Sequence, residues 1–396
     1  MGKIGIYGGS FNPPHKGHIL AAAAFQQELG LDRLLLVPAA MPPHKAMPDG
    51  SPDGEIRLQM LKLAAEELPF AEVSDLELRR EGPSYTVDTL RQLRQQYPED
   101  QLFLCMGTDM LQSFSQWRQP EEICRMATLV MAHRVEPDQE QLRRCTEDVR
   151  TAYGADPVLI CNDAFEISST TVRRLLVVGG AEDYLQPEVF RYIQEHGLYG
   201  TGKNRKQLPF EELKAESLAL HKQKRVPHVI GCSETAAELA KLYGVNEEDA
   251  ARAGILHDVT KALDGTEQLR LCERYGMIIS DFERQYTKLL HAVTGAAVAK
   301  YVFGENEAVC QAIRWHTSGR AGMTTLEKIL YIADYMEPNR DFPQVEELRK
   351  LAYEDLDRAV LMGLEMTVEH LKRQGQPLGH YSREAIEDLT AGKEQQ

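Results

Sequence analysis

Two histidines three positions apart follow a glycine-rich run near the start of the chain. The run is Gly8-Gly9-Ser10-Phe11-Asn12-Pro13-Pro14-His15-Lys16-Gly17-His18; it follows an apolar segment, Lys3–Tyr7, typical of a strand, and leads into a helix predicted to begin near His18. Glycines let a backbone approach an anion closely, and a helix start carries roughly half a positive charge. Imidazoles with a pKa of about 6.5 can donate hydrogen bonds to phosphate and can carry positive charge as negative charge develops. The spacing predicts a phosphate-handling site for nucleotidyl transfer, although a glycine loop alone is also typical of a tight turn.

Two further segments place polar groups directly after predicted strands. Lys45 ends the proline-rich run Pro38-Ala39-Ala40-Met41-Pro42-Pro43-His44-Lys45, where stiff backbone would hold it over the site to neutralise a phosphate; the alternative is a solvated loop lysine. Asp109 ends Gly107-Thr108-Asp109, where it could accept from a ribose hydroxyl or assist a magnesium-bound triphosphate. Asp109 is equally suited to capping the helix that follows.

The segment Ile167-Ser168-Ser169-Thr170-Thr171-Val172-Arg173 joins a strand-to-helix turn to an arginine in the first helical turn. Hydroxyls and N–H groups at a helix start, with Arg173 one turn on, predict a second anion cradle, although an ordinary helix cap has the same pattern. Trp117 is one of two tryptophans and lies in a polar stretch. Stacking on a flat heterocycle and packing in the core are both open to it.

These motifs lie where predicted strands end. Short apolar runs alternate with amphipathic segments through the first 200 residues, which predicts an α/β doubly wound parallel sheet with ligands at the carboxyl ends of the strands. The predicted strands are Lys3–Tyr7, Arg33–Val37, Ala71–Leu78, Gln101–Met106, Thr128–Ala132 and Val158–Cys161. A glycine-rich basic run at 201–210 is the expected linker. Residues 211–396 are expected to form an all-α domain, from helical segments at Glu211–Lys224, Ser233–Tyr243, Glu247–Leu256 and Thr325–Met336.

The second half has its own set of chemically capable residues. His257 and Asp258 are adjacent within an otherwise apolar helical turn, where burying a charge without a partner is costly and a metal ion would remove that cost. Other candidates interrupt apolar segments in the same way: His228, His291, His316 and Asp334. Each histidine alone is typical of a satisfied core or surface residue. The ordered set exceeds what one ion with an open site requires, and two metal ions bridged by Asp258 would use them all.

Composition narrows the classes of function. The chain has 396 residues with 45 basic and 60 acidic side chains, a net charge of −15, which argues against a broad nucleic-acid surface. Its seven cysteines include no C-x-x-C pair, as expected in a reducing compartment. The chain contains neither an 18-residue apolar stretch nor a signal-peptide pattern, so we expect a cytoplasmic protein without membrane or nucleic-acid partners.

The first 200 residues resemble the nicotinate mononucleotide adenylyltransferases of the His-x-Gly-His nucleotidylyltransferase superfamily. The resemblance is carried, in order, by GGSFNPPHKGH, PxxxPPHK, YTVDTL, GTDML with a downstream tryptophan, and ISSTTVR. The first and last motifs are shared with enzymes that act on pantetheine phosphate, whereas PPHK and the Trp117 segment favour the pyridine branch. The family opening more often reads GGTFDP, so Ser10 and Asn12 are departures that remove no catalytic group.

This resemblance implies direct transfer of AMP from ATP, with its Mg²⁺, to nicotinate mononucleotide, giving deamido-NAD and pyrophosphate without a covalent enzyme intermediate. It assigns His15, His18 and Arg173 to the ATP phosphates. The other implied residues are Gly8, Gly9, Ser10, Phe11, Gly107, Asp109, Ser169 and Thr170 for ATP, and Lys45, Thr86 and Trp117 for the acceptor.

Residues 211 to 385 resemble the HD-domain metallophosphohydrolases, particularly a bacterial branch that cleaves diadenosine tetraphosphate symmetrically into two ADP. The ordered ligand set carries the resemblance, with Trp-His-Thr-Ser-Gly and Ala-Asp-Tyr-Met-Glu-Pro. It implies one ion held by His228, His257, Asp258 and Asp334, and a second held by His291, His316 and the shared Asp258. Mixed imidazole and carboxylate ligands suit iron or manganese without excluding zinc. Lys261, on the helix face of His257 and Asp258, would hold a substrate phosphate or be a plain surface lysine, with Arg225 a weaker candidate for the same role.

The sequence therefore predicts a fusion of two enzymes, with alternatives from other classes. The HD half could be a nucleotide-sensing module without turnover, although its intact ligand set argues against this. The first half could use another acceptor, such as a pantetheine phosphate. A nucleic-acid-directed HD nuclease is a third alternative, which the net charge of −15 disfavours. Oligomeric state and communication between the two sites have no signature in the sequence.

Overall fold

A parallel sheet organises the first half of the chain in the computed structural model, which describes residues 2–43, 46–133, 139–161 and 167–393. Its strand order is β3-β2-β1-β4-β5-β6. The strands are β1 Lys3–Gly9, β2 Arg33–Pro38, β3 Ala71–Val73, β4 Gln101–Gly107, β5 Thr128–His133 and β6 Val158–Cys161. The chain builds outward from β1 to β3 and then returns to pair β4 with β1, so the topological switch point, where α/β sheets bind ligands, lies between β1 and β4.

Helices connect these strands and cover both faces of the sheet, as the sequence predicts for an α/β doubly wound fold. The helices of this half are α1 Lys16–Leu29, α2 Gly54–Ala65, α3 Thr86–Gln96, α4 Thr108–Gln112, α5 Pro120–Met126, α6 Gln139–Tyr153, α7 Ser169–Val178 and α8 Pro187–Glu195. The apolar strand residues Ile4, Ile6, Leu35 and Leu104 are buried in one core cluster. Burial on both faces explains why the strands are continuous apolar runs.

The third strand is shorter than the sequence predicts. The expectation of a strand over Ala71–Leu78 is wrong after Val73, because local hydrogen bonds replace the sheet ladder there. The backbone N–H of Ser74 still donates to Leu36, but that of Arg79 donates to Asp75, and the Arg79 guanidinium also contacts the Asp75 carboxylate at 2.8 Å. The side chains of Ser74 and Asp75 thus end this edge strand in a turn.

The second half is helical, which confirms the predicted change of class. Its helices are α9 Phe210–Leu220, α10 Val226–Tyr243, α11 Glu247–Leu256, α12 Gly265–Arg274, α13 Asp281–Gln285, α14 Leu290–Val298, α15 Glu307–Trp315, α16 Thr325–Met336, α17 Val345–Glu354, α18 Leu356–Arg373 and α19 His380–Lys393. Within residues 2–43, 46–133, 139–161 and 167–393, no helix combines the length and apolar character needed to cross a membrane.

Two helix limits in this half differ from the prediction. Helix α9 ends at Leu220 instead of Lys224, because His221 is extended and a separate 3₁₀ turn follows. Helix α10 begins at Val226 instead of Ser233, with Pro227 in its first turn, where the missing N–H of proline costs nothing. The residues that open α10 are mostly apolar and lack the two-sided pattern by which the sequence predicts a surface helix.

Contacts divide the chain into two compact units. The first comprises Met1–Val177 and Ala181–Lys203, and the second comprises Val178–Gly180 and Asn204–Gln396. Within the second unit, Arg205 of the predicted linker is buried and pairs with Glu216 at 2.7 Å. The basic run is therefore partly anchored to α9, although the sequence suggests a solvated spacer.

Candidate active sites

The glycine loop of the first unit connects β1 to α1. His15 precedes α1 in extended backbone, as expected of a residue that opens a helix. A Cβ at Gly9 would lie 3.3 Å from the Phe11 ring, a contact tighter than usual, so glycine lets the loop and this ring pack without adjustment. Phe11 is buried, with its ring packed on Tyr7 and on His18 at 5.7 Å and 5.0 Å between centroids. The expectation that Phe11 contacts ATP needs correction for its side chain, which supports the loop from the core.

His15 and His18 stack at the start of α1, with 3.7 Å between their ring centroids. The backbone N–H of His15 donates to Nδ1 of His18 at 3.1 Å, so the neutral His18 ring carries its proton on Nε2. Desolvation lowers the pKa of His18 to about 3, and desolvation together with His18 lowers the pKa of His15 well below its usual value. Burial therefore favours neutral, hydrogen-bonding rings at both positions, in contrast to the ordinary histidine pKa that the sequence suggests.

A cavity of about 610 Å³ opens in front of these rings. Most of the residues predicted for the first site line it: Gly8, Gly9, Ser10, His15, His18, Thr86, Gly107, Trp117, Ser169, Thr170 and Arg173. Nδ1 of His15 is buried without a hydrogen-bond partner among the residues that the structure describes. Such an atom is typical of a site completed by a ligand.

The start of α7 forms one wall of the cavity. Ser168 caps this helix, because its Oγ accepts from the N–H of Thr171 at 3.1 Å. Ser169 Oγ donates to the carbonyl of Pro13, and Arg173 donates to the carbonyl of Asn12 at 2.6 Å. The segment therefore caps a helix and brings Arg173 against the glycine loop, whereas the predicted anion cradle stays a prediction.

Thr86, Gly107 and Trp117 also line the cavity and come from three separate segments. Thr86 begins α3 and Gly107 ends β4. The half-buried indole of Trp117 contacts Phe114 at 5.4 Å between centroids and also lines the cavity, so one face packs while another part borders the open space. Asp109 lies in α4 with its side chain outside the described part, and Lys45 falls outside the described residues altogether.

Sequence reasoning misses a buried arginine beneath the glycine loop. Arg57 on α2 is 2 % exposed and donates to the carbonyls of Ser10 and Ala39 at 2.7 Å and 2.8 Å. These carbonyls belong to the loops after β1 and β2, so one guanidinium holds both. The available signal is helical phase, because Arg57 precedes the buried Leu61 by four residues and lies on the apolar face of α2.

Asn12, a departure from the usual family opening, is also fixed by contacts distant in sequence. Its Oδ1 accepts from the hydroxyl of Tyr199 at 2.8 Å, and its Nδ2 donates to Oγ of Ser51 at 2.8 Å. The hydroxyl of Ser51 donates to the carbonyl of Pro48, so it needs a donor from position 12, which a carboxylate could not supply. Asparagine therefore matches the partners that this chain provides.

The second unit brings all six predicted metal-ligating residues together. His228 lies on α10, the adjacent His257 and Asp258 follow α11, and the others are His291 on α14, His316 after α15 and Asp334 on α16. The sets His228, His257, Asp334 and His257, Asp258, His316 each offer donor atoms within 4.8 Å of one another. A close approach of α11 to α10 makes this possible, since a Cβ on Gly254 would lie 2.5 Å from the Cα of Ser233.

Asp258 lies at the centre of this cluster. Its Oδ2 is 3.4 Å from Nε2 of His257, and its Oδ1 is 3.3 Å from Nε2 of His291 and 3.8 Å from that of His316. On the Oδ2 side, Asp334 Oδ1 is 3.1 Å from Nε2 of His228. The two carboxylate oxygens therefore face different groups of imidazoles, as a bridging carboxylate must.

The ring nitrogens show that this donor set fits metal ions. Nδ1 of His257, His291 and His316 lies 2.6 to 2.7 Å from a backbone carbonyl, and Nδ1 of His228 lies 3.0 Å from a carboxylate oxygen of Glu337. These partners only accept, so each neutral ring has its lone pair on Nε2. Nε2 atoms nevertheless face each other at 3.3 Å, between His228 and His257, and at 3.2 Å, between His291 and His316. Facing lone pairs repel, and a shared cation would turn that repulsion into ligation.

Charge within the cluster is consistent with the same chemistry. Burial lowers the pKa of His291 to about 3, which keeps this imidazole neutral and able to ligate. Burial alone would favour a protonated Asp258, but the charge and hydrogen bond of His257 hold the pKa of Asp258 well below its usual range. The second unit therefore places an ionised carboxylate at Asp258 beside a neutral imidazole at His291.

Three cationic side chains surround the carboxylates. Arg225 donates through Nε to Asp258 at 2.8 Å, and Lys261 Nζ lies 3.1 Å from the other oxygen of Asp258. Arg340, which the sequence does not single out, contacts Asp334 at 2.7 Å. Lys261 thus contacts Asp258, but the expected shared helix face is wrong, because α11 ends at Leu256 and both residues lie in the turns that follow it.

Family models match both halves of the chain. Residues 6–175 match the cytidylyltransferase-like family, and residues 225–339 match the HD domain. The chain thus joins a cytidylyltransferase-like domain to an HD domain, a class of domain that binds divalent metal ions.

Curated relatives match the first half over nearly their whole length. The chain is similar to the nicotinate-nucleotide adenylyltransferase of Bacillus subtilis, with 38 % identity over 201 residues, 50 % of this chain and 99 % of that protein. It is also similar to a probable nicotinate-nucleotide adenylyltransferase of Thermus thermophilus, with 41 % identity over 198 residues, again 50 % of this chain and 99 % of that protein.

One similar solved structure is that of a Clostridium acetobutylicum protein described as a predicted HD superfamily hydrolase involved in NAD metabolism. It has 38 % identity with this chain and a TM-score of 0.46, and the match covers 47 % of this chain and 98 % of that protein.

Proposed function

We propose that the first half of this chain transfers AMP from ATP to nicotinate mononucleotide, because through this half the chain belongs to the nicotinate-nucleotide adenylyltransferase family. A phosphate oxygen of the mononucleotide would attack the α-phosphorus of ATP, forming a P–O bond as the bond to pyrophosphate breaks. The products are deamido-NAD and pyrophosphate. The observation that carries this proposal is the cavity that His15, His18 and Arg173 share with Thr86 and Trp117.

The proposed roles follow from where the polar atoms lie. ATP, bound with its Mg²⁺, would place its phosphates against the start of α1, where Nε2–H of His18 can donate. The guanidinium of Arg173 would stabilise charge on the departing pyrophosphate. Ser10, Gly107, Ser169 and Thr170 would complete the ATP site, and Asp109 is proposed for ribose or metal. Lys45, Thr86 and Trp117 would hold the acceptor, so that alignment supplies much of the rate.

Pyrophosphate release with different acceptors tests this half. We expect release with nicotinate mononucleotide, and weaker or no release with the nicotinamide form or with pantetheine phosphate. His18→Ala should lower kcat strongly, whereas His196→Ala, at the end of α8 and outside the cavity lining, should leave kcat unchanged. Release with pantetheine phosphate but not with nicotinate mononucleotide would replace the proposed acceptor.

For the second half, we propose symmetrical hydrolysis of dinucleoside tetraphosphates to two nucleoside diphosphates. Water would add to a central phosphorus while the central P–O–P bond breaks, so that diadenosine tetraphosphate gives two ADP. The central position of Asp258 between two groups of imidazoles carries this proposal. We place the adenylyltransferase at residues 1–200, a linker at 201–210 and the hydrolase at 211–396.

The six-residue cluster fits two transition-metal ions, with iron favoured and manganese as the alternative. His228, His257, Asp258 and Asp334 would hold one, and His291, His316 and the shared Asp258 the other; when bound, the ions would supply Lewis acidity and activate water. Lys261 and Arg225 would turn from Asp258 towards a substrate phosphate, which offers the same anionic oxygens.

Incubation with diadenosine tetraphosphate tests this second activity. The iron- or manganese-loaded chain should give ADP alone, and Asp258→Ala should abolish it. Asp357→Ala is the matched control, because that carboxylate lies on the exposed side of α18 and pairs with Lys328. ATP with AMP as products would mean asymmetric cleavage. Full metal loading without any cleavage would favour a nucleotide-sensing role and refute the hydrolase.

A further inference from the structure

A buried carboxylate lies behind one of the four ligand histidines. Glu337 directly follows α16 and is 1 % exposed. Its Oε1 lies 3.0 Å from Nδ1 of His228, on the side of the ring away from the cluster. Glu337 therefore contacts a residue of the proposed metal site without pointing a donor atom into that site.

His228 differs in this respect from the other three histidines. Nδ1 of His257, His291 and His316 faces the backbone carbonyl three residues earlier, at Gly254, Lys288 and Ile313 respectively. Those carbonyls belong to the local helix geometry and do not depend on any side chain. The orientation and tautomer of His228 depend instead on Glu337, which comes from a different helix end.

The other oxygen of Glu337 is fully committed. Oε2 accepts from the backbone N–H of Asn339 and from its Nδ2, both at 2.8 Å. Nδ2 of Asn339 also donates to the carbonyl of Pro227 in the first turn of α10. A Cβ at Gly231 would lie 2.4 Å from Oε2, so the glycine leaves room for the carboxylate. Asn339 and Gly231 together fix which oxygen faces His228.

We propose that Glu337 is a positioning residue that holds His228 in the tautomer with its lone pair on Nε2 and thereby determines occupancy of one of two metal positions. The position affected is the one formed by His228, His257 and Asp334. This inference rests on the metal-dependent function proposed above and adds that the two positions are supported by different means. A carboxylate behind a ligand histidine typically contributes 10- to 100-fold in metal affinity.

Glu337→Gln tests the tautomer directly. The two Asn339 donors require an acceptor at the Oε2 position, so the amide oxygen of the introduced glutamine would turn towards Asn339 and its NH₂ towards His228. Nδ1 of His228 would then have to accept, and the proton would move to Nε2, where it blocks ligation. The substitution keeps the size of the side chain, yet it should remove one ligand.

Manganese binding by the full chain is the measurement. Free Mn²⁺ is counted by its electron paramagnetic resonance signal during titration of wild type, Glu337→Gln and Gly231→Ala. We expect two sites in wild type and, in both variants, a 10- to 100-fold weaker affinity at one site with the other unchanged within about twofold. Glu327→Gln is the matched control: Glu327 is equally buried but pairs with Arg320 and contacts no ligand histidine.

The position of the proton on His228 separates tautomer control from general loosening. In the metal-free chain, the ring ¹⁵N chemical shifts should place the proton on Nδ1 of His228 in wild type and on Nε2 in Glu337→Gln. A proton on Nδ1 in Glu337→Gln would overturn the tautomer argument. Two Mn²⁺ bound with wild-type affinity by Glu337→Gln would overturn the inference while leaving the metal site intact. No Mn²⁺ bound by wild type would instead refute the metal-dependent function itself.

Discussion

Replacing Arg57 by methionine isolates the contribution of a buried guanidinium to the first site. The substitution keeps a long side chain on α2 but removes the hydrogen bonds to the carbonyls of Ser10 and Ala39. These carbonyls lie in the loops after β1 and β2, and both segments border the cavity. The change therefore tests whether the glycine loop holds its shape by itself.

The expected cost follows from the contacts. A buried carbonyl left without a partner costs about 1–3 kcal/mol; because the bond to Ser10 is only partly buried, about 2–6 kcal/mol is an upper range for the two. Burial lowers the pKa of Arg57, which shows that holding the charge there is itself unfavourable, and methionine relieves this. We therefore expect a loss in the lower part of the range, about 2–4 kcal/mol. Arg57→Lys should lose roughly half, because an ammonium cannot match the planar fork.

Urea unfolding and the two activities measure the effect. In a Trp315→Phe background, Trp117 reports on the first unit alone, since the chain has two tryptophans. A displacement of the loop by about 1 Å should lower AMP transfer on the order of 100-fold. Hydrolysis of diadenosine tetraphosphate by the same molecules serves as an internal control and should not change.

Two results would refute this reasoning. If the free energy of unfolding of Arg57→Met lies within about 0.5 kcal/mol of the wild-type value, the two carbonyls must find other partners. A parallel fall in both activities would mean general unfolding instead of a local change in the loop.

Three further predictions concern acid stability, helix packing and metal removal. Burial of neutral His18 lowers its pKa from the ordinary value to about 3, so its contribution to stability is full above about pH 6.5 and is lost as pH falls. In urea unfolding, His18→Gln should remove about 1.4 kcal/mol of the stability that wild type loses between pH 7.5 and 5.5. An unchanged pH dependence would contradict this prediction. Gly254→Ala should destabilise the second unit by about 1–3 kcal/mol, because the new methyl group clashes with Ser233. Trp315 fluorescence during urea unfolding measures this loss. An unfolding midpoint equal to that of wild type would show that α10 and α11 can separate freely. Chelation should lower the free energy of unfolding of the second unit by about 2.7 kcal/mol for each ion present at 100 times its Kd, and so by about 5.4 kcal/mol for two. Calorimetry should show no shift in the first unit, and an unchanged second unit would contradict the prediction.

The sequence predicts the strands and helices correctly where the hydrophobic pattern follows burial. The prediction fails where polar turn residues or an apolar helix start break that relation. The strands β1, β2, β4 and β5 are buried on both faces, so a continuous apolar run determines them. The predicted edge strand β3 is too long because its pattern continues past Val73, where Asp75 starts a local turn. The start of α10 escapes prediction because its first turns carry apolar residues around most of the helix, which hides the helical period.

The proposed sites show the same division between local and distant information. Local motifs, whose backbone conformation requires particular residues, contain His15, His18 and Arg173. These three residues can therefore be predicted from the sequence. The contact between Tyr199 and Asn12 joins residues far apart in the chain, and no local pattern indicates it. Asn12 itself differs from the usual family opening, and its amide has a physical reason once Ser51 and Tyr199 are known as its partners.

Supporting residues are difficult to find because of the atoms that they contact. Arg57 donates to backbone carbonyls, which every residue carries, so its partners have no signature in the sequence. In the sequence, only the donor of this contact stands out, because it is a charged residue on the apolar face of a helix. Glu337 follows the same logic, because a carboxylate directly after the apolar helix α16 is buried against His228. A charged side chain buried on the apolar face of a helix, or directly after an apolar helix, costs several kcal/mol unless it is paired. Such a position therefore indicates that a partner exists, but only the folded chain shows which residue it is.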